Sequence, residues 1–338
     1  VTVRDAGLVS GGIVSGAARY SLQSVTVNGS AVPGASVGTS SWGFGDAVVE
    51  LPPLPAGSVS VVEYVVAMLG SVEAGETLHP NVSVTWRSHP TEVSRAQNTT
   101  VVSDSVVALT VRSPSVSVGV ETDDASPGNT SALRGQTVDY AVRVPVPEGV
   151  TASSRVDWSV ATSGWSGDAL EDLSIVTVSS SSGAVTTSCA GSGGSLGWLA
   201  GSGRSVVRAR SVSVDMCDVT NTNTNDAVGE WVEVVIRGRV RLGVSRGAVV
   251  APSASVSWLA DGVDRVANAT AAGASVEVLV AEVVPPSAVL STSGPVDAGD
   301  LVTATVVVGH SAVSNATAFG VTVRDAGLVS GGIVSGAA

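Results

Sequence analysis

The chain has 338 residues, enough for two domains of ordinary size, and its 17 basic residues, all arginine, face 29 acidic ones for a net charge of −12. An acidic surface disfavours nucleic acid as a partner, because phosphate contacts need a basic footprint. The absence of lysine excludes chemistry that depends on a lysine amine. The mean hydropathy of +0.38 comes from valine-rich segments. The most apolar segment, residues 59–69, contains Glu63 and is too short to span a membrane.

One stretch of the sequence occurs twice. Residues 1–18 recur letter for letter as residues 321–338. Self-similarity at a fixed period is typical of tandem arrays. We therefore expect one 320-residue repeat plus the start of the next, with a repeat joint marked by Val1, Asp5, Ala18, Val321, Asp325 and Ala338.

Alternation of apolar and polar residues predicts β-strands along most of the chain. The two clearest examples are residues 81–87 and 253–258, where Trp86 and Trp258 share the apolar face of the strand and are expected in the core. Other alternating segments are residues 106–111, 136–144, 206–214, 231–242, 276–280 and 301–308. Because no segment has helical periodicity, the sequence predicts an all-β fold of antiparallel sheets packed as a sandwich.

Proline divides the repeat at Ser113-Pro114 and at Pro285-Pro286. Residues 113–286 are expected to form one sandwich domain, with a long insertion at about residues 151–230, where strands are hard to assign. Residues 287–338 are expected to hold the first strands of another domain. Its remaining strands correspond to residues 1–112, so this domain is split across the repeat seam.

Residues 297–325, which cross that seam, contain a Gly-Asp turn, an alternating strand, an Asn-containing loop and a Val-x-Val-x-Asp strand. Leu54-Pro55-Ala56-Gly57 and the strand at residues 77–84 follow as later landmarks. This order resembles the conserved-repeat, immunoglobulin-like β-sandwich domains of repetitive extracellular surface and filament proteins. The domain of residues 113–286 matches the same pattern at residues 134–140 and 254–258 and departs from it at about 151–230.

The resemblance implies two immunoglobulin-like antiparallel β-sandwich domains per 320-residue repeat, and a protein without enzymatic activity. It implies a structural repeat unit of a secreted extracellular filament or surface stalk, such as a flagellar-hair-like glycosylated filament. Identical copies would be its partners, assembled head to tail as one chain or as separate subunits, with each unit completing its neighbour's sandwich. The alternative is a cell-surface adhesin or glycan-binding module that uses loops at the sandwich ends.

Asparagine and cysteine point to a secretory compartment. Six of the nine asparagines lie in Asn-x-Ser/Thr, more than this composition would place there by chance, and they predict N-linked glycans at Asn28, Asn81, Asn98, Asn129, Asn268 and Asn315. In an oxidising compartment the two cysteines, Cys189 and Cys217, are expected to form a disulfide, with two free buried thiols as the alternative. Apart from glycans, no cofactor is expected.

Charged residues supply two further candidate sites. Five arginines occupy alternate positions of two segments: Arg208, Arg210, Arg237, Arg239 and Arg241. If those strands pair, the arginines form a basic ladder, which is either a solvated face with local carboxylate partners or an interface with an acidic neighbouring unit or glycan. Weak calcium candidates are Asp123, Asp124, Asp261 and Asp264, although calcium needs six to eight oxygens and no complete loop is present.

Catalytic and metal-binding motifs are weak. Residues 193–197 fit G-x-S-x-G, but they lie in a Ser/Gly-rich stretch of an all-β chain and not between a strand and a helix. The three histidines, His79, His89 and His310, form no pair with metal-ligand spacing. The sequence therefore predicts neither a catalytic residue nor a metal site.

Overall fold

The computed structural model describes most of the middle of the chain and parts of both ends. The described residues are 2–5, 9–10, 20–31, 37–39, 45–50, 54–68, 70–79, 82–87, 97–102, 109–122, 130–189, 191–224, 229–270, 272–284, 287–290, 303–314, 316–318 and 321–323. Their regular structure is β-strand, apart from the 3₁₀ turns Leu196–Gly201 and Ala272–Ala274. The all-β class predicted from alternation is confirmed.

The first group of strands lies within residues 1–112. They are β1 Thr2–Asp5, β2 Val9–Ser10, β3 Tyr20–Val27, β4 Ser30–Ala31, β5 Val37–Thr39, β6 Gly45–Glu50, β7 Val62–Met68, β8 Thr77–His79, β9 Val82–Arg87, β10 Gln97–Val102 and β11 Leu109–Thr110. They form three antiparallel sheets in the orders β10-β9-β1-β6-β5, β4-β3-β7 and β11-β8-β2. Strand β1 is the central strand of the largest of these sheets, because β6 and β9 pair with its two edges.

The following strands build a larger sandwich. They are β12 Ser117–Thr122, β13 Ser131–Leu133, β14 Thr137–Pro145, β15 Gly149–Ser163, β16 Leu170–Ser180, β17 Val185–Thr187, β18 Ser205–Arg208, β19 Ser211–Asn221, β20 Trp231–Val240, β21 Val249–Ala260, β22 Val263–Thr270 and β23 Val276–Leu279. One sheet has the order β12-β14-β20-β16. The long sheet has the order β13-β23-β21-β15-β19-β17, with β18 beside β19 and β22 beside β21. All these pairs are antiparallel except β13 with β23.

The core of this sandwich follows from strict alternation of burial. On β14, β20 and β21 every second residue is buried, and these residues are mostly valine. Branched side chains suit a pleated surface that is covered on one face. An aromatic pair joins the two sheets, because Tyr140 of β14 and Trp158 of β15 have ring centroids 5.3 Å apart.

Two expectations about strands need revision. The segment at residues 206–214 is not one strand but a hairpin, in which β18 and β19 reverse at Ala209 and Arg210. Alternation alone could not show this, because valines continue on both sides of the turn. Residues 151–230, expected to be an insertion, contain β19 and nearly all of β15, which are neighbours in the middle of the long sheet.

The last two strands are β24 Ser287–Leu290 and β25 Ala304–Val307, which pair as an antiparallel hairpin. No third strand joins them among the described residues. Nor do those residues include a helix long and apolar enough to cross a membrane.

Tyr140 gives a prediction about alkaline stability. Its hydroxyl is buried without a hydrogen-bond partner among the described residues, and burial raises the pKa of Tyr140 above its ordinary value of 10.0. Above about pH 10 the unfolded chain releases this proton while the folded chain keeps it, so folding stability falls as pH rises, by up to about 1.4 kcal/mol per pH unit. We expect Tyr140→Phe to remove the part of this alkaline loss of stability that comes from Tyr140. At pH 8 the variant should be as stable as the natural chain or slightly more stable. Urea unfolding at pH 8 and pH 11 tests it, and equal pH dependence of the two proteins would contradict it.

Candidate functional site

Residues 71–78 form a junction between the first part of the chain, residues 1–112, and the large sandwich. Four alternate residues of this segment, Val72, Ala74, Glu76 and Leu78, are at most 6% exposed. Ala74 belongs to the same buried cluster as the core of the large sandwich. The first part of the chain is therefore joined to the second by a buried contact.

Backbone hydrogen bonds fix this junction. The Ala74 amide donates to the Val150 carbonyl at 2.8 Å, and the Val150 amide donates to the Val72 carbonyl at 2.9 Å. Together they form a short parallel bridge in which Glu73 is paired with Val150. Val150 is the second residue of β15, so the junction is built on a strand from the middle of the long sheet.

Two side chains of the large sandwich also reach the junction. The indole Nε1 of Trp258 donates to the Ala74 carbonyl at 2.9 Å, and a carboxylate oxygen of Asp261 accepts from the Thr77 amide at 3.1 Å. Trp258 is 5% exposed, as the alternation of its strand predicts.

Glycine permits the close approach. Gly149 has φ +100°, and a Cβ there would lie 2.5 Å from the Val72 carbonyl oxygen. Gly75 has φ +80°, and a Cβ there would lie 3.1 Å from Nε1 of Trp258. This junction was not predicted from the sequence, although its alternating Val72, Ala74 and Leu78 and its two glycines were visible signals.

The two copies of the repeated sequence are in different surroundings. Thr2–Asp5 is β1 and is paired on both edges. In the second copy, the described residues 321–323 are in no strand, and Val321 and Val323 are 52% and 53% exposed. Of the other expected joint residues, Asp5 ends β1, while Val1, Ala18, Asp325 and Ala338 lie outside the described residues.

The β24–β25 hairpin lies just before the second copy and exposes apolar surface. Val306 and Val307 on β25 are 42% and 57% exposed. A two-stranded hairpin is marginal by itself in water, and exposed apolar residues are the kind that another strand or sheet covers.

The structure places some of the expected glycosylation sites on the surface. Asn28 is exposed at a two-residue turn, has φ 49°, and accepts a hydrogen bond from the Val61 amide at 2.8 Å. Asn268 is exposed on β22, and Asn98 lies on β10. The remaining sequons, Asn81, Asn129 and Asn315, lie outside the described residues. Glycan attachment at these positions stays a prediction.

The expected disulfide between Cys189 and Cys217 is present, with Cα atoms 5.3 Å apart. It closes a loop of the large sandwich that includes the 3₁₀ turn Leu196–Gly201 and strand β18. Ser195, the serine of the G-x-S-x-G match, directly precedes that 3₁₀ turn and does not lead into an α-helix.

The calcium candidates are only partly described. Asp261 has one carboxylate oxygen engaged with the Thr77 amide, and Asp264 is exposed on β22. Asp123 and Asp124 lie outside the described residues. Within the described ranges, no three His, Cys, Asp or Glu side chains are grouped so as to hold a metal ion.

The basic ladder expected from five arginines does not form. Arg208 ends β18, which pairs with β19 of the long sheet, and Arg210 lies in the turn that follows. Arg237 and Arg239 lie on β20 of the other sheet, with Arg241 just after it. The ladder required the two segments to pair, and they belong to different sheets.

Most of these arginines have carboxylate partners close by. The ion pairs are Arg210 with Asp168, Arg237 with Asp139 at 2.6 Å, Arg239 with Glu171 at 3.0 Å and Asp172 at 2.9 Å, and Arg241 with Glu171 at 4.0 Å. These contacts match the alternative of a solvated face with local partners. Arg208 differs, because it has no ion pair within the described part of the chain.

Comparison with known proteins gives similarity in structure only. No family model and no curated protein sequence matches the chain. The C-terminal domain of the Streptococcus pyogenes antigen I/II-family protein AspA is similar over 82% of this chain and 84% of that one, with 11% identity and a TM-score of 0.36. A variant of BcpA, the major pilin subunit of Bacillus cereus, is similar over 86% and 80%, with 10% identity and a TM-score of 0.32.

The 35 kDa C-terminal fragment of the major pilin GBS80 of Streptococcus agalactiae is also similar, with 9% identity and a TM-score of 0.30. The match covers 50% of this chain, which spans little more than half, 57%, of that fragment. Structural similarity with such low sequence identity and TM-scores does not identify a function for this chain.

Because the junction is tightly packed, we expect one glycine substitution to lower the free energy of unfolding more than an ordinary glycine substitution would. In Gly149→Ala the new methyl group would meet the Val72 carbonyl at a left-handed backbone position, so we expect a loss of about 2–3 kcal/mol in unfolding free energy. Gly247→Ala is the matched control, because Gly247 has φ +71° but open space around a Cβ. Urea unfolding of both variants measures the difference, and equal losses would contradict a tight junction.

The disulfide gives a second prediction. Its partners are 28 residues apart, and a loop of this length stabilises the folded state by about 3.5 kcal/mol in the chain-entropy description. We expect the double variant Cys189→Ala/Cys217→Ala to lose about that much in guanidinium unfolding. Adding a reductant should lower the stability of the natural chain toward that of the variant and leave the variant unchanged. The prediction would be contradicted if complete reduction left the stability of the natural chain unchanged.

Proposed function

We propose that the chain is a structural repeat unit of a secreted, N-glycosylated extracellular filament or surface stalk. In this proposal identical copies follow one another head to tail, and each copy completes the sandwich of its neighbour. The observation that carries the proposal is the repeated sequence: residues 2–5 of its first copy form a central strand, and the described part of its second copy is exposed and in no strand.

The β24–β25 hairpin supports the same arrangement. It precedes the second copy, it has no third strand among the described residues, and Val306 and Val307 on β25 are exposed. The strands that would cover it correspond to β3–β11 of a following copy. If the copies belong to one chain, the result is a linear array. If they are separate subunits, the second copy of one would have to take the place of the next subunit's own β1 between β6 and β9, which is strand donation between neighbours.

The junction at residues 71–78 suits a stalk. A stalk must resist bending between successive domains, and a loose linker would act as a hinge. Here two backbone hydrogen bonds, two side-chain hydrogen bonds and the buried Ala74 fix the contact. Exposed sequons at Asn28 and Asn268 and the disulfide are features expected of a secreted surface protein.

Hydrogen exchange tests the proposal. A tandem protein, in which residue 320 of one copy is followed directly by a whole second copy, places strands corresponding to β3–β11 after residues 321–338. We expect the amides of residues 322 and 323 to exchange freely in the single chain and at least about 100-fold more slowly in the tandem, because they take the place of Thr2 and Val3 in the paired strand β1. The amides of β20 serve as the control and should be protected in both.

Equal exchange of residues 322 and 323 in the two proteins would contradict completion by a neighbour. Electron microscopy of the native material is an independent test. The proposal requires a fibre whose axial repeat contains two domains.

A further inference from the structure

The outer face of the long sheet forms a concave groove of about 910 Å³. Strands β19, β15 and β21 form its floor, β18 and the turn before it form one wall, and β22 forms the other. Both walls are edge strands folded back by hairpin turns. The volume lies in the range of ligand sites in proteins.

Strand register brings a continuous row of polar side chains across the floor. Ser255 is the direct partner of both Asn268 and Asp157, and Asp157 is also the partner of Ser213, which faces Val206 on β18. Direct cross-strand partners lie on the same face of a sheet. The row thus runs from the sequon Asn268 on one wall to β18 on the other.

A second row beside it consists of hydroxyl groups and one cation. Ser253, Ser159 and Ser211 are register partners, and Arg208 faces Ser211. The hydroxyls of Ser159 and Ser253 are 2.8 Å apart. A hydroxyl both donates and accepts hydrogen bonds, so this floor matches a ligand that also carries many hydroxyls.

The charge of the groove differs from that of the chain. Three arginines and two aspartates line it, although the whole chain has a net charge of −12. Arg155 pairs with Asp157 at 2.9 Å and Arg204 pairs with Asp215 at 2.7 Å. Arg208 has no ion pair among the described residues, so its guanidinium fork is available for a carboxylate.

The groove offers little to other kinds of ligand. Its only tryptophan, Trp158, is 1% exposed and points into the core, so no aromatic surface is available for an apolar ligand. The floor strands are paired on both edges, so a peptide lying on the floor could not join it as a further strand and would find side chains only.

We propose that this groove binds an acidic saccharide, whose hydroxyls contact the serine rows and whose carboxylate pairs with Arg208. Asn268 lies in the first row, so a glycan attached there would begin inside the groove. The ligand is therefore either the chain's own glycan or a saccharide from elsewhere. This site is independent of head-to-tail assembly.

Isothermal titration with trigalacturonate tests the site in the full chain made without glycans. We expect binding at least about tenfold tighter than that of the neutral trisaccharide maltotriose, because one charge-assisted hydrogen bond is worth about that factor. We expect Arg208→Ala and Ser255→Val each to weaken trigalacturonate binding, about tenfold for Arg208→Ala. Valine suits a strand, so the second variant should retain the fold. Arg265→Ala is the matched control, because Arg265 is an exposed arginine of β22 outside the groove.

Three results would overturn the proposal. They are failure of the natural chain to bind trigalacturonate, an equal loss of affinity in Arg265→Ala and Arg208→Ala, and binding of a hexaglutamate peptide as tight as that of trigalacturonate. The last result would assign the groove to acidic peptides.

Preparing the chain with its glycans distinguishes the two sources of saccharide. If the Asn268 glycan occupies the groove, the glycosylated chain should not bind trigalacturonate and Asn268→Gln should restore binding. If the glycosylated chain binds as well as the glycan-free one, the groove takes a saccharide from elsewhere. Both results support a carbohydrate site.

Discussion

The position of β15 in the middle of the long sheet is the constraint on which the rest of the structure depends. Its first residues, Gly149 and Val150, receive the junction segment from the start of the chain. Farther along, Trp158 points inward to Tyr140 of the opposite sheet, while Asp157 points outward into the groove. Because side chains alternate strictly along a strand, a register slip of one residue would exchange the inner and outer faces. The core and groove therefore depend on one register.

Alternation made the fold class readable from the sequence. Strands β14, β20 and β21 carry valine at many of their alternate positions, and segments within each were predicted as strands. Alternation reports which residues face inward, but it does not report where a chain reverses or which strands become neighbours. For that reason the turn at Ala209 and Arg210 was missed. Whether the five arginines share one ladder also depended on pairing of their two segments, which lie on different sheets.

The candidate sites were harder to predict, because their contacts join residues far apart in sequence. The junction brings Ala74 to Trp258, and strand pairing places Arg208 beside Ser211 and in the same row as Ser159 and Ser253. Taken singly, the groove residues are typical of a solvated outer face. Serines that are far apart in sequence form a row only because their strands pair. The repeated sequence makes the same point in another way, because identical residues lie in different environments when their strand partners differ.

The disulfide also contributes to the stability of the groove. The loop that it closes carries β18, which is one wall of the groove and the position of Arg208. Without the disulfide this wall would still be held by its pairing with β19, by the Arg204–Asp215 ion pair and by the buried Leu199, and the disulfide adds stability mainly by restricting the unfolded chain. Loss of the disulfide would therefore weaken the groove and the large sandwich together.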